Sequence, residues 1–166
     1  MSIILNRKSS RTYLDTKVTD KQIESILKAA MQAPSAHNQQ PWEFIVVNDR
    51  KILNALVAAA PNARALLTAP IAIIPILRPT TLSPLFSIQD MSAATQNILL
   101  EAENLGLGTV WIGVLPNEER VAAVKKILNI KDSLNPFSII ALGVSNDPRK
   151  STSRYDESRI HYNVME

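Results

Sequence analysis

Cysteine is absent from the 166-residue chain, and no apolar stretch is long enough to cross a membrane. Without cysteine the protein has no disulfide bond, no thiol catalysis and no zinc site built on thiolates. A membrane-spanning helix needs roughly 20 consecutive apolar residues, far more than any run in this sequence. We expect a single soluble domain over residues 1–166, and a cytoplasmic location because the N-terminus shows no export signal.

Glycine and histidine are both scarce, which removes two further kinds of site. The four glycines form neither a dinucleotide-binding loop nor a P-loop, and Gly106-Leu107-Gly108 is followed by a strand pattern instead of a helix. His37 and His161 have no acidic partner at a metal-ligand spacing, so we expect no metal site. Ser35 and His37 lack the third group that would orient a nucleophile pair.

The charge is moderately basic, with 18 basic and 15 acidic residues, a net charge of +3 and a pI near 9.3. Aromatic residues make up only 5% of the chain, too few for the base-stacking surfaces of single-strand binders. Two basic clusters that meet on one small anionic ligand explain the charge equally well, and we expect no nucleic-acid partner. Much of the excess lies near the two ends, in Arg7, Lys8, Arg11, Arg149, Lys150, Arg154 and Arg159.

The most informative segment is residues 34–42, Pro-Ser-Ala-His-Asn-Gln-Gln-Pro-Trp, here called the polar loop. Its two prolines limit backbone freedom, while its hydroxyl, imidazole and amide groups offer hydrogen bonds. The segment has little apolar side chain to bury in a core. It is typical of a loop that holds a polar, planar ligand.

A second candidate segment, residues 7–11, reads Arg-Lys-Ser-Ser-Arg. Arginine grips phosphate through paired donors, so a phosphate clamp is one interpretation. A solvated basic surface near a terminus is the other. Cations and amides without an evident proton-transfer side chain favour an enzyme whose cofactor carries the reaction.

Hydrophobic periodicity predicts four or five helices between four strands, which indicates an α/β or α+β sandwich. Helices are predicted from a cap at Thr19 to residue 33, from Asp49 to residue 60, from 88 or 89 to 104, and from a cap at Asn117 to 128. One or two further helical turns are predicted at 62–68. Strands are predicted at 43–48, 70–77, 109–114 and 137–144.

Three features of this pattern bear on the site. Pro75 predicts that its strand lies near a sheet edge or a bulge. Residues 78–87 have little periodicity and are typical of a lid or gate. The helix that follows has small side chains in its first half, which favours the centre of the molecule or a dimer interface. Beyond Ser145 the polar tail is expected to lie extended over another surface.

Five segments together resemble the FMN-dependent nitroreductase family, over nearly the whole chain and in the family's order. They are residues 7–11, 33–42, 89–97 (Gln-Asp-Met-Ser-Ala-Ala-Thr-Gln-Asn), 106–113 (Gly-Leu-Gly-Thr-Val-Trp-Ile-Gly) and 154–162. The resemblance implies an α+β fold, a three-layer α-β-α sandwich whose central, mostly antiparallel sheet is flanked by helices. It also implies an obligate homodimer with an exchanged C-terminal tail and one FMN in each of two interface sites.

The family pattern implies roles for three sets of residues. The first contacts the FMN phosphate, ribityl chain and pyrimidine edge: Arg7, Lys8, Ser9 and Arg11, with Arg154 returning to the phosphate. The second comes from the other subunit and lines the isoalloxazine ring: Pro34, Ser35, Ala36, His37 and Asn38. The third runs beside the ring, with a backbone N–H near flavin N5: Trp111, Ile112 and Gly113, joined at the flavin edge by Asn62.

The implied reaction is a ping-pong exchange. NADH or NADPH delivers hydride to flavin N5 and leaves, and a nitroaromatic, a quinone or another planar acceptor then takes two electrons. The alternative is a protein that binds FMN for storage or sensing without turnover, and the sequence does not separate the two. Two departures from the family are notable: His37 stands where many relatives have glycine, and Ala65 where some longer members have a lysine.

Overall fold

The computed structural model describes residues 2–165 and is organised around a five-stranded sheet. Its strands are β1 (Trp42–Val47), β2 (Ile71–Leu77), β3 (Gly108–Gly113), β4 (Asn135–Pro136) and β5 (Ser138–Gly143). The order across the sheet is β1-β2-β5-β3, and the short β4 also pairs with β2. All pairings among these strands are antiparallel.

Helices cover both faces of the sheet. They are α1 (Ile3–Asn6), α2 (Asp20–Met31), α3 (Arg50–Ala59), α4 (Ser87–Asn104) and α5 (Glu118–Leu128). One face packs against α2 and α4, and the other against α3, α5 and a 3-10 segment at Pro61–Leu67. The expected α+β fold, a three-layer α-β-α sandwich, is confirmed.

Local capping fixes where the longer helices begin. Thr19 and Gln22 form a reciprocal capping box at the start of α2. The Asp49 side chain accepts from two backbone N–H groups at the start of α3, and Asn117 accepts from the Arg120 N–H at the start of α5. The caps predicted at Thr19 and Asn117 are confirmed, and α4 ends as expected before Gly106, whose φ is +73°.

Strand β2 is buried along its whole length because both of its faces are covered. Ile71 and Ile73 pack toward α2 and α4, whereas Ile74 and Ile76 pack into the opposite core. Pro75 therefore lies in an interior strand, so of the two predicted placements the edge is wrong. The bulge is confirmed, because residues 74–75 of β2 face three residues, 137–139, between the Ile73–Ile140 and Ile76–Pro136 pairs. Proline has no N–H, and Pro75 lies where β2 changes its pairing partner. The pairing of β2 with β5 extends to Ile73, and its pairing with β4 starts at Ile76.

The C-terminal tail is exposed throughout residues 148–165, with one short 3-10 turn at Glu157–Arg159. Strand β4 and helix α1 were not predicted, because elements of two and four residues carry no readable periodicity. Within residues 2–165, no helix is both long and apolar enough to span a membrane.

Candidate cofactor site

Strand β3 forms the edge of the sheet beside the N-terminal segment. Peptide groups alternate in direction along an antiparallel strand, and Ser10 N donates to Thr109 O at 2.8 Å on the side away from β5. Trp111 and Gly113 therefore direct their backbone groups to the same outer side. The Arg120 guanidinium donates a hydrogen bond to Gly113 O at 3.1 Å, so this carbonyl is already paired. The backbone of Trp111 and the Gly113 N–H thus remain at the open edge.

A cleft of about 450 Å³ lies along this edge, within the size range of small-molecule sites. Its floor is β3, and one wall is the start of the 3-10 segment Pro61–Leu67. None of the described lining residues carries a carboxylate, so two guanidinium groups make the cleft attractive to an anion. The lining consists of Arg11, Pro61, Asn62, Arg64, Val110, Trp111, Ile112 and Gly113.

Close packing holds the N-terminal segment against β3. A Cβ at Gly108 would lie 2.6 Å from Ser10 Oγ and 2.7 Å from Ser145 Cβ, so only glycine leaves room for this approach. Tyr13 shares its hydroxyl proton between Ser10 O at 2.5 Å and Ala141 O at 3.2 Å. Burial raises the pKa of Tyr13 well above its usual value, which keeps this hydroxyl a donor.

Asp147 fixes the backbone at Arg11, which lines the cleft. One carboxylate oxygen of Asp147 accepts from Arg11 N at 3.1 Å, and the other accepts from Arg149 Nε at 2.7 Å. The Arg149 guanidinium holds the pKa of Asp147 well below its usual range. Lys8 Nζ donates to Asp147 O at 2.9 Å and also to Arg149 O. Lys8 therefore supports the segment and does not line the cleft.

Replacing Asp147 with asparagine is expected to reduce stability by about 1–2 kcal/mol near neutral pH, because the buried ionised acceptor is lost. The pKa of Asp147 is lowered in the folded state, so its contribution is complete above the unfolded value of about 3.9. That contribution is lost as the pH falls toward the folded pKa. Thermal unfolding of wild type and variant between about pH 7 and 3 measures the difference. A difference that does not shrink on acidification contradicts this role.

The structure brings five of the sequence-predicted residues into one cleft: Arg11, Asn62, Trp111, Ile112 and Gly113. Arg7 and Ser9 are half-buried in the adjoining segment, and Arg154 lies on the exposed tail. The predicted part of the polar loop, residues 34–38, lies outside this lining. Its assignment to a second subunit stays a prediction.

Sequence reasoning missed Arg64 and Asp147. Arg64 follows Asn62 by two positions in the 3-10 segment, and both line the cleft. Ala65, which follows Arg64, is buried and does not line the cleft. Asp147 bonds to the backbone of Arg11, which is 136 positions away in the sequence, so no local pattern indicates it.

A larger cleft of about 500 Å³ lies between β1 and the loop after α5. It is lined by apolar side chains together with five polar residues: Glu43, Arg78, Asn129, Lys131 and Ser133. None of its described lining residues belongs to the set predicted for a cofactor. The cleft along β3 is therefore the candidate site.

The fold and the cleft together define an α+β protein with a cationic, cofactor-sized site at the edge of its sheet. The model of the nitroreductase family matches residues 4–65 and 53–144. The chain belongs to the nitroreductase family, as the five segments predicted.

Three similar proteins illustrate the kinship. A protein from Archaeoglobus fulgidus named "Putative NADH dehydrogenase/NAD(P)H nitroreductase" is 42% identical, over 97% of this chain and 95% of its own. A crystal structure from Clostridium acetobutylicum named "Putative NADH Oxidase" is 46% identical, with a TM-score of 0.95 over 99% of this chain and 100% of that one. The "FMN-dependent Nitroreductase" of Clostridium difficile R20291 is 30% identical, with a TM-score of 0.92 over 99% of each chain. The predicted enzyme class, an NAD(P)H-dependent oxidoreductase, is confirmed.

Proposed function

We propose that the protein binds FMN in the cleft along β3 and transfers hydride from NADH or NADPH to a planar acceptor. The observation that carries the proposal is the meeting of Arg11, Arg64 and Asn62 with the open edge of β3 in one cleft. The names of similar proteins, which include nitroreductases and an FMN-dependent enzyme, support the same cofactor and a nitro compound as acceptor; a quinone is the second acceptor that we propose.

The residues present suit FMN chemically. Arg11 and Arg64 are suited to its phosphate through paired, charge-assisted donors. Asn62 and the outward backbone of β3 offer the donors and acceptors that the polar edge of the ring needs. When bound, FMN supplies the two-electron hydride chemistry between the nicotinamide and the acceptor.

The side chains of the cleft bind and orient but do not exchange protons. Its described lining residues include no histidine, tyrosine or carboxylic acid. We infer that the protons required by the acceptor come from water. This agrees with a site in which placement and electrostatics are the protein's contribution.

The proposal includes a homodimer in which residues 34–38 of the second subunit complete each site and Arg154 reaches the phosphate. Large apolar side chains are exposed around α1 and the start of α4, including Leu5 at 74% and Leu85 at 90%. The tail also exposes Tyr155, Tyr162, Val164 and Met165. Exposed apolar surface of this kind is characteristic of a subunit interface and supports a second copy as the partner.

The visible spectrum of the purified protein tests the proposed function. We expect flavin absorbance that bleaches on anaerobic addition of NADPH or NADH and returns when a nitroaromatic or a quinone is added. Bound flavin that no reduced nicotinamide bleaches would favour storage or sensing. A colourless protein that also fails to bind added FMN would contradict the proposal.

A further inference from the structure

A cluster of buried polar side chains fastens the polar loop to residues 78–83 and to α4. Gln39, Ser83 and Asp90 form this cluster and are exposed by only 5%, 9% and 6%. Buried polar groups are costly unless they are hydrogen-bonded, so the cluster is stable only as a connected set.

Gln39 is the centre of the cluster. Its Nε2 donates to Ser83 O at 2.9 Å and to Asp90 Oδ2 at 2.6 Å. Its Oε1 accepts from Ser83 N at 3.0 Å and from Thr80 Oγ1 at 3.0 Å. A primary amide has two donors and an oxygen with two lone pairs, so its full capacity is used. The amide pairs with both backbone groups of Ser83 as a neighbouring strand would.

Two further contacts extend from the cluster into the loop. Asp90 Oδ1 accepts from Ala36 N at 3.0 Å. Ser83 Oγ lies 2.7 Å from His37 Nδ1. The loop is therefore held at its first turn, at its imidazole and at its buried amide. Asn38 stays exposed, and its amide oxygen accepts from Gln40 Nε2 at 2.9 Å.

The loop needs this support because its backbone is strained. His37, Asn38 and Gln40 have φ values of 50°, 52° and 46°. Residues that have a Cβ disfavour this left-handed region of the backbone, and such strain persists only where surrounding contacts enforce it. Arg78 provides a further contact of this kind, because its Nε donates to Gln40 O at 3.1 Å.

We propose that Gln39 and Asp90 are positioning residues that preset the polar loop for the flavin ring. This inference rests on the function proposed above. Both side chains lie beneath the loop, and they act through the exposed residues His37 and Asn38. A loop fixed in advance does not lose freedom when a ligand binds, so the affinity for the ligand is higher. Residues 78–83 are then a fixed support of the loop and do not act as a lid.

Gln39→Glu tests the inference by placing a carboxylate against Asp90 and removing both amide donors. We expect the Kd for FMN, measured by quenching of flavin fluorescence, to rise about tenfold or more. The double variant Gln39→Glu/Asp90→Asn reverses the direction of the bond, because the new amide at position 90 can donate to the new carboxylate at position 39. It should recover part of the affinity, because the bond to position 90 is restored while Ser83 O still faces a carboxylate oxygen. Asp90→Asn alone provides a second single variant without the like-charge pair.

Ser25→Ala is the matched control. It removes a 2.6 Å hydrogen bond from Ser25 Oγ to Glu101 Oε1 that joins α2 to α4 away from the loop. We expect it to lower Tm and leave the Kd for FMN within about twofold of wild type. If this control weakens FMN binding as much as Gln39→Glu at the same loss in Tm, or if the double variant recovers nothing, the positioning role is wrong.

The wild-type protein separates this inference from the proposed function. Wild type that binds FMN, with both single variants within about twofold of it, overturns the positioning role and leaves the proposed function intact. Wild type that does not bind FMN at all overturns both.

Discussion

Replacing Gly108 with alanine is expected to weaken FMN binding by about tenfold or more and to lower the stability by about 1–3 kcal/mol. The new Cβ would lie only 2.6–2.8 Å from side-chain atoms of both Ser10 and Ser145. Neither neighbour can move away freely, since Ser10 N bonds to Thr109 O and Ser145 Oγ bonds to Ser10 Oγ at 2.9 Å. The segment that carries Arg11 must therefore shift off the edge of β3. Flavin fluorescence titration and thermal unfolding measure the two effects.

Gly106→Ala provides the control for this prediction. Gly106 has a φ of +73°, and beyond its two chain neighbours no heavy atom lies within 4 Å of the place that a Cβ would take, so alanine there adds backbone strain without a clash. It should reduce stability by about 1–2 kcal/mol and leave FMN binding unchanged. If Gly108→Ala retains wild-type affinity, the close packing of the N-terminal segment does not set the geometry of the cleft.

The elements that the sequence predicted well are those with local causes. The Thr19 capping box and the Asn117 cap each act within three residues of their partners, so their signals are continuous in the sequence. Buried strands such as β2 show an uninterrupted apolar run because both faces are covered. Local physics was sufficient for these elements.

The position of Pro75 in the sheet could not be decided from the local sequence. Proline lacks the N–H of a ladder, which favours an edge, but the change of partner between β5 and β4 provides an interior position without that bond. That change depends on β4, whose two residues leave no pattern. The exclusion of an edge placement therefore required the three-dimensional pairing.

The residues of the candidate site also fall into two groups, those that the sequence indicated and those that only tertiary contacts reveal. The sequence indicated Arg11, Asn62 and residues 111–113, because the family pattern covers these positions. It did not indicate Asp147, whose carboxylate bonds to a backbone N–H at the other end of the chain. Nor did it indicate that the amide of Gln39 is directed inward to Ser83 and Asp90 and not toward a ligand. Such partners are set by tertiary contacts, which a linear reading does not contain.

Arg11→Ala is expected to raise the Kd for FMN about 10- to 100-fold. An arginine bonded to a phosphate or to a ring edge contributes a charge-assisted interaction of about 1.5–3 kcal/mol. Titration of the variant with FMN and with riboflavin, by fluorescence quenching, measures the loss and locates it. If Arg11 binds the phosphate, riboflavin affinity should be unchanged, since riboflavin has no phosphate. If Arg11 binds the ring edge, both ligands should lose affinity equally.

Two controls make the result specific to the cleft. Lys28→Ala removes the same charge from an exposed position on α2 that pairs with Glu24, so FMN affinity should stay within about twofold of wild type. Arg11→Lys keeps the charge but loses the paired donors, and an intermediate affinity is expected for a phosphate contact. Arg64→Ala should show the same selective loss of FMN affinity, with riboflavin affinity unchanged, if both guanidinium groups share the phosphate. Unchanged FMN affinity in Arg11→Ala would remove this residue from the site and return the basic segment to the role of a solvated surface.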